Sequence, residues 1–319
     1  MGEQRALVTG GGGFIGSNLV RGLLLEGYSV RVIDDFSTGK RENLAAIEGE
    51  IELLEGDVTD PRLLARAARD ISIIFHEAAI PSVARSVADP KQSHEANATG
   101  TLAVLLAARD AAVGRVVYAS SSSVYGGIDR LPLHEELPAV PLSPYGVSKL
   151  AGENYCRAFT RTFGLATVSL RYFNVFGPRQ DPASEYSAVI PRFAKALLSN
   201  TSPAIFGDGD QSRDFTFVDD VIQANLLAGR ADEAAFGKTF NVAQGGRHSL
   251  NELLAMLREI TGIWDVPASY ADPRRGDIRH SQADITLARR VLRYEPRVTF
   301  EEGLRRTVEW LSTRDGEGS

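Results

Sequence analysis

The 319-residue chain is 43% hydrophobic and 24% charged, with 35 basic against 41 acidic side chains and a formal charge of −6. An acidic balance argues against a nucleic-acid surface, and no apolar run approaches the roughly 18 residues of a membrane span. Cys156 is the single cysteine, which excludes an intrachain disulfide and points to a reducing compartment. With no leader-like segment ahead of the first strand, a cytoplasmic protein is expected.

In chain order, β-rich runs occur at Arg5–Thr9, Val30–Asp34, Ile51–Glu55, Ser72–His76, Arg115–Ala119 and Ala166–Arg171. Helix-like stretches at Phe14–Glu26, Pro61–Arg69, Pro90–Ala112 and Pro144–Phe163 separate them. The runs are apolar throughout rather than alternating, as strands buried on both faces are. The pattern predicts an α/β fold with a doubly wound parallel sheet. After Arg171 the rhythm loosens. Gly207–Asp210 (GDGD), Gly245–Gly246 and Asp272–Gly276 (DPRRG) punctuate shorter elements, which suits a smaller C-terminal α/β lobe. Val218–Gly229 and Thr239–Val242 read as a helix and a strand that return to the main sheet. The expected division is therefore residues 1–171, rejoined by about 214–243, against a second lobe made mainly from 172–319.

The first strand runs into Gly10-Gly-Gly-Gly-Phe-Ile-Gly16, which opens the first helix. Gly10, Gly13 and Gly16 have the GxxGxxG spacing of a Rossmann-type dinucleotide loop, with Phe14 and Ile15 between them. Such glycines make the tight turn and let a pyrophosphate approach the backbone at a helix N-terminus. Asp34 ends the second strand, where a carboxylate accepts from both hydroxyls of an adenosine ribose and repels a 2′-phosphate. No arginine follows in Asp35-Phe36-Ser37-Thr38-Gly39, which favours NAD over NADP. Asp57 and Val58, after the third strand, suit an adenine-side contact.

Ser143–Lys149 reads SPYGVSK and places Tyr145 and Lys149 four residues apart on one helix face. A free phenol titrates near 10 and a lysine near 10.4. A neighbouring ammonium favours the phenolate and lowers the tyrosine pKa, so Tyr145 could act as a base. On these residues alone, a surface tyrosine beside a solvated lysine stays open.

Across nearly its whole length the chain resembles the extended short-chain dehydrogenase/reductase family, in particular its nucleotide-sugar 4-epimerases. The resemblance is carried by TGGGGFIGSNLV, VIDDFSTG, GDV, HEAA, NATGT, ASSSSVYG, SPYGVSK, LRYFNVFGPRQ, GDGDQSRDFTFVDD and RRGDIRHSQAD. It implies Ser121, Tyr145 and Lys149 as the catalytic set, with Ser122 as the fallback if the register slips by one. Tyr145 would take the proton of the sugar 4-hydroxyl while C4 is oxidised by NAD, and the keto sugar would be reduced again on its other face. It further implies cofactor contacts from Ala78, Ala79, Asn97, Tyr145, Lys149 and Tyr172. For the UDP-sugar it implies Ser82, Asn174, Val189, Phe206, Arg213, Arg274, Asp277 and Ser281, together with Ser121, Ser122 and Tyr145. A homodimer formed through two helices of each subunit is also implied.

Dehydratases of the same branch place acids two to three residues before the tyrosine of the VYG-type motif. Here Ser122 and Ser123 hold those positions, and a hydroxyl does not ionise in the useful range. Ser281 lies where a bulky residue would restrict the sugar pocket to plain hexoses, so an acetamido group is expected to fit. The sequence reading is a UDP-N-acetylglucosamine/UDP-N-acetylgalactosamine 4-epimerase that also accepts UDP-glucose and UDP-galactose. A UDP-glucuronate decarboxylase, a 4-keto-sugar reductase and a non-catalytic NAD sensor are the alternatives. His76, His94 and His280 have no metal-ligand spacing, and no metal is expected.

Overall fold

The apolar runs assemble into one seven-stranded sheet in a computed structural model that describes residues 4–182, 188–273 and 278–315. Its strands are β1 (Arg5–Thr9), β2 (Ser29–Asp34), β3 (Ile51–Glu55), β4 (Ile73–His76), β5 (Arg115–Ser121), β6 (Ala166–Tyr172) and β7 (Lys238–Val242). Their order is β7-β6-β5-β4-β1-β2-β3, and every neighbouring pair is parallel. The helices that concern the site and its supports are α1 (Phe14–Leu25), α2 (Gly100–Asp110), α3 (Pro144–Phe163), α4 (Val189–Leu198), α5 (Val218–Arg230), α6 (Leu250–Thr261) and α7 (Phe300–Asp315).

Alternate strand residues serve opposite faces. Ala6, Val8, Val32, Phe75 and Val117 join Leu19 and Val20 of α1 and Val221 of α5 in one core. Leu7, Ile33, Ile74 and Val116 join Val104 and Leu105 of α2 and Phe159 of α3 in the other. Both faces are thus apolar and dry, and each fully buried Leu or Ile contributes about 1.5–3 kcal/mol. This is why the strands read as continuous hydrophobic runs.

The helix predicted over Pro144–Phe163 has those bounds. Ser143 Oγ caps its start by accepting from Gly146 N at 3.1 Å, Pro144 sits in the first turn, and Gly164 ends it at φ +70°. The helix expected over Pro90–Ala112 is interrupted. It consists of Pro90–His94, a π turn over Glu95–Thr99, and α2. Beyond the short elements, β7 pairs with β6, and Arg115 Nη1 on β5 donates to Ala228 O of α5 at 3.0 Å.

The remaining residues build short strand pairs, Val175–Phe176 with Thr216–Phe217, Ser212–Arg213 with His248–Ser249, and Ala204–Phe206 with Ser269–Ala271. Helices α4, α6 and α7 pack beside them. Buried Asp214 fastens this lobe to the end of β7, accepting from the amides of Gln244 (3.0 Å), Gly245 (3.1 Å) and Ala283 (3.0 Å). Among the described residues no helix is long and apolar enough to cross a membrane.

Candidate active site

The carboxyl ends of β1, β2, β4, β5 and β6 bring the candidate residues to one edge of the sheet, around the point where strand order reverses between β1 and β4. Gly10 turns there at φ +72°, and a Cβ on it would lie 2.6 Å from Ala78 N. A Cβ on Gly16 would lie 2.1 Å from Gly10 O, so only glycine lets α1 start this close to β1. Gly13 is the N-cap of α1. No side chain caps that turn and no acidic residue lies in it, leaving its amide end suited to an anion. Phe14 and Ile15 form its first turn, half-buried against the core.

Asp34 is buried, with Oδ2 accepting from Gly12 N and Oδ1 from Phe36 N, each at 2.7 Å. Burial raises its pKa, and those two amide bonds oppose the rise. Each oxygen keeps acceptor capacity for a hydroxyl. Asp35 is turned to the amide (2.9 Å) and hydroxyl (2.7 Å) of Ser37, and Thr38 is exposed. Gly39 packs against Gly12, where a Cβ would meet backbone at 2.7 Å. Asp57 Oδ1 accepts from Thr59 N at 2.7 Å, and Val58 is buried against Gly100. The uncapped helix start, the glycine turn and the buried carboxylate together fit a dinucleotide.

Ser121 is the last residue of β5, where it favours ionisation of the nearby Tyr145 phenol; its own hydroxyl donates to Ser123 Oγ at 3.2 Å. Ser121 Oγ also accepts from Ser123 N at 3.2 Å, while half-buried Ser122 continues into a short helical turn. Lys149 shares the face of α3 with Tyr145, and its Nζ stands 6.0 Å from the centre of the Tyr145 ring. That ammonium donates to Ala119 O at 2.7 Å. The expected acidification of Tyr145 by Lys149 is not found: Lys149 is not among the causes that shift the phenol. Burial pushes the phenol up to about 12; Ser121 works against that rise and Glu77 adds to it. Burial also brings Lys149 down to about 8, opposed by Glu77 and Glu153. Sequence spacing put the two groups on one face, but it carried no desolvation cost.

Asn97 lies in the π turn, buried, with Oδ1 accepting from Ile80 N at 2.8 Å and Nδ2 donating to Ser148 Oγ at 3.0 Å. Its side chain therefore orders the Ala78–Ala79–Ile80 strand exit rather than pointing outward from it. Tyr172 ends β6, and its hydroxyl donates to Glu77 Oε1 at 2.7 Å. Glu77 lies in the HEAA motif but received no role in the sequence reading, where only Ala78 and Ala79 of that motif were assigned.

Asn174, Val189, Phe206 and Arg213 come together around one cavity of about 410 Å³. Val83, Arg192, Gln211 and Phe215 also line it and were not foreseen. Asn174 has φ +34° and donates to Asp214 O at 3.2 Å. Arg213 Nη1 donates to Ser212 O at 2.9 Å, and Arg192 stands 5.9 Å from the Phe206 ring centre. Ser82 caps the helix that carries Val83, accepting from Arg85 N at 3.1 Å. Ser281 does not line this cavity; it is buried beside it, with its amide donating to Ser212 O at 3.1 Å. Arg274 and Asp277 lie outside the described residues.

Residues 6–243 match the NAD dependent epimerase/dehydratase family. The chain is 41% identical over 315 residues to the UDP-glucose 4-epimerase of Mycolicibacterium smegmatis, covering 98% of this chain and 99% of that one. Its fold matches a UDP-glucose 4-epimerase from Thermotoga maritima solved with UDP-glucose, at TM-score 0.93 and 38% identity, over 98% and 99% of the two chains. It also matches a UDP-N-acetylglucosamine 4-epimerase from Methanobrevibacter ruminantium in complex with UDP-N-acetylmuramic acid, at TM-score 0.93 and 39% identity, over 98% and 100%.

Proposed function

The chain belongs to the NAD dependent epimerase/dehydratase family, and from that membership we propose that it interconverts UDP-N-acetylglucosamine and UDP-N-acetylgalactosamine, turning over UDP-glucose and UDP-galactose as well. The observation that carries the reading is Tyr145 and Lys149 on one face of α3, with Nζ 6.0 Å from the phenol ring centre, Ser121 at the end of β5, and serine rather than an acid at 122 and 123.

When bound, NAD supplies the two-electron acceptor and donor for the sugar C4. Asp34 and the start of α1 would hold its adenosine and pyrophosphate. Tyr145 takes the proton of the 4-hydroxyl, and Ser121 holds that oxygen and passes the proton on. With burial holding the phenol at about 12, added cationic charge is needed before Tyr145 ionises near neutrality. Lys149 supplies part of that charge. Arg213 suits a diphosphate through its forked donors, Phe206 suits a uracil face, and Asn174 and Val189 complete the wall. Arg274 and Asp277 belong to the same reading, as does Ser281. The acceptance of an acetamido group rests on the small size of Ser281, although Ser281 is buried and does not line the cavity. A homodimer is supported by exposed Leu106 on α2 and by Val147, Tyr155 and Phe163 on α3. The lone buried Cys156 supports a cytoplasmic setting.

The test is product analysis after incubation with each of these four UDP-sugars. The galacto epimer is expected from UDP-N-acetylglucosamine, and failure to form it from this or from UDP-glucose ends the proposal. Carbon dioxide released from UDP-glucuronate would favour decarboxylation, and net NADH turnover a reductase.

A further inference from the structure

Glu77 directly follows β4. Its amide donates to Thr9 O at the end of β1 (3.1 Å), and a Cβ on Gly10 would come 3.0 Å from the Glu77 carbonyl carbon. The residue thus sits at the strand-order reversal, beside the glycine loop. Its half-buried carboxyl is held from the other side by β6: the Tyr172 hydroxyl donates to it at 2.7 Å, and Asn225 Nδ2 of α5 donates to that hydroxyl at 2.8 Å. The Tyr172 proton is thereby committed to Glu77.

The groups that face this carboxyl are Tyr145 and Lys149 from α3 and Tyr172 from β6. The neighbouring His76 ring is turned away, to Thr9 Oγ1 (2.7 Å) and Thr101 Oγ1 (2.9 Å). Glu153, which also acts on Lys149, is spent on Arg171 and Ser120. Among the described residues Glu77 forms no close ion pair. It is an acid with one hydroxyl donor and under-compensated charge, beside the groups assigned to the chemistry. Burial pushes it up to about 7, opposed by Tyr172 and Lys149.

We propose that Glu77 is a positioning residue that poises the cofactor. Its carboxylate is the counter-charge for the cationic nicotinamide of NAD⁺, so NAD⁺ expels a proton from Glu77 to solvent and the site prefers NAD⁺ to neutral NADH. No bond forms or breaks in the cofactor in this step; one proton leaves the carboxyl as one positive charge arrives. A cycle that begins and ends on oxidised cofactor is served by such a preference, because the reduced form is then the less stable occupant. The inference rests on the family's cofactor and holds for any sugar oxidised at C4, so it stands or falls apart from the substrate proposal.

The experiment is calorimetric titration of the ligand-free full chain with NAD⁺ and with NADH near pH 7, in buffers of different ionisation enthalpy. NAD⁺ binding should release up to one proton, and NADH far less. Glu77→Gln keeps an acceptor for Tyr172 and should abolish the release. It should also lower the NAD⁺:NADH affinity ratio about tenfold, the equivalent of one pKa unit. Proton release that persists in Glu77→Gln would assign it to Lys149 or Tyr145 and overturn the proposal, as would an unchanged affinity ratio. Should the amide variant fail to fold, Glu77→Asp reads the same quantity. The pH at which release is half-maximal must then move, and an unmoved value overturns the proposal.

Discussion

The Lys149 ammonium stands 6.0 Å from the centre of the Tyr145 ring and donates to the Ala119 carbonyl at 2.7 Å, so the two side chains share a helix face without a direct bond. Burial, not Lys149, dominates the phenol's environment, and Ser121 opposes part of its effect. With its pKa at about 12, Tyr145 is protonated at neutral pH, and cationic charge beside it would favour its ionisation.

Removing that phenol should leave a bound cofactor and an idle enzyme. Tyr145→Phe is expected to lower kcat by roughly 10²–10⁴-fold, the usual worth of a positioned acid–base group. KM should change little. Ser121→Ala should fall in the same direction by less. Steady-state rates with the NAD content of each variant measured alongside check this, and full turnover in Tyr145→Phe would show that another group is the base.

Glu153 and Arg171 are buried and bidentate, with Arg171 Nε to Oε1 at 2.8 Å and Nη2 to Oε2 at 2.7 Å. Ser120 Oγ donates to the same carboxylate at 2.5 Å. Breaking one side strands a charge in the interior, so Glu153→Gln should cost about 3–5 kcal/mol. Urea denaturation followed by fluorescence would read it. A loss below 1 kcal/mol would mean that the vacated guanidinium finds water.

Arg213 lines the cavity with Phe206. Its conversion to Ala should weaken inhibition by UDP by roughly 10–100-fold, the range for a charge-assisted hydrogen bond of about 1.5–3 kcal/mol. The effect should shrink as salt is raised. Titration with UDP at two ionic strengths decides it, and an unaltered inhibition constant would place the diphosphate elsewhere.

The pH dependence of stability follows from Glu77. Its folded pKa of about 7 lies above the ordinary carboxyl value of about 4.3. Between those values the native state keeps a proton that the unfolded chain has lost. This contribution is therefore present at acid pH and disappears as pH rises through 7. The ligand-free protein should melt at progressively lower temperature from about pH 5 to 8, and Glu77→Gln should flatten that slope. Scanning calorimetry across the range tests both. Burial pushes Asp214 the same way, against its three amide bonds, so part of the slope should survive in the variant.

Much of this architecture could be read from residue order. The strands from Arg5–Thr9 to Ala166–Tyr172 and the bounds of α3 follow from apolar runs, from Ser143-Pro144 and from Gly164, all of which act locally. The dinucleotide loop was legible for the same reason, since Gly10 and Gly16 are demanded by backbone approach. Three features were not. The π turn at Glu95–Thr99 has no side-chain signature, because EANAT suits an α-helix equally well. The partners of Asn97 come from Ile80 and from Ser148 on α3, contacts that only tertiary packing creates. The phenol of Tyr145 was expected to be acidic because spacing shows which charges are near, whereas burial sets what they cost.

Closure of β6 by β7 has a consequence for anyone wishing to graft the nucleotide-binding half onto another protein. A fragment ending at Tyr172 would leave the Val168–Tyr172 edge bare, with unsatisfied backbone groups ready to template pairing between copies. The portable unit extends at least through Val242. It brings with it the whole intervening excursion, along with Asp214, which clamps that excursion shut.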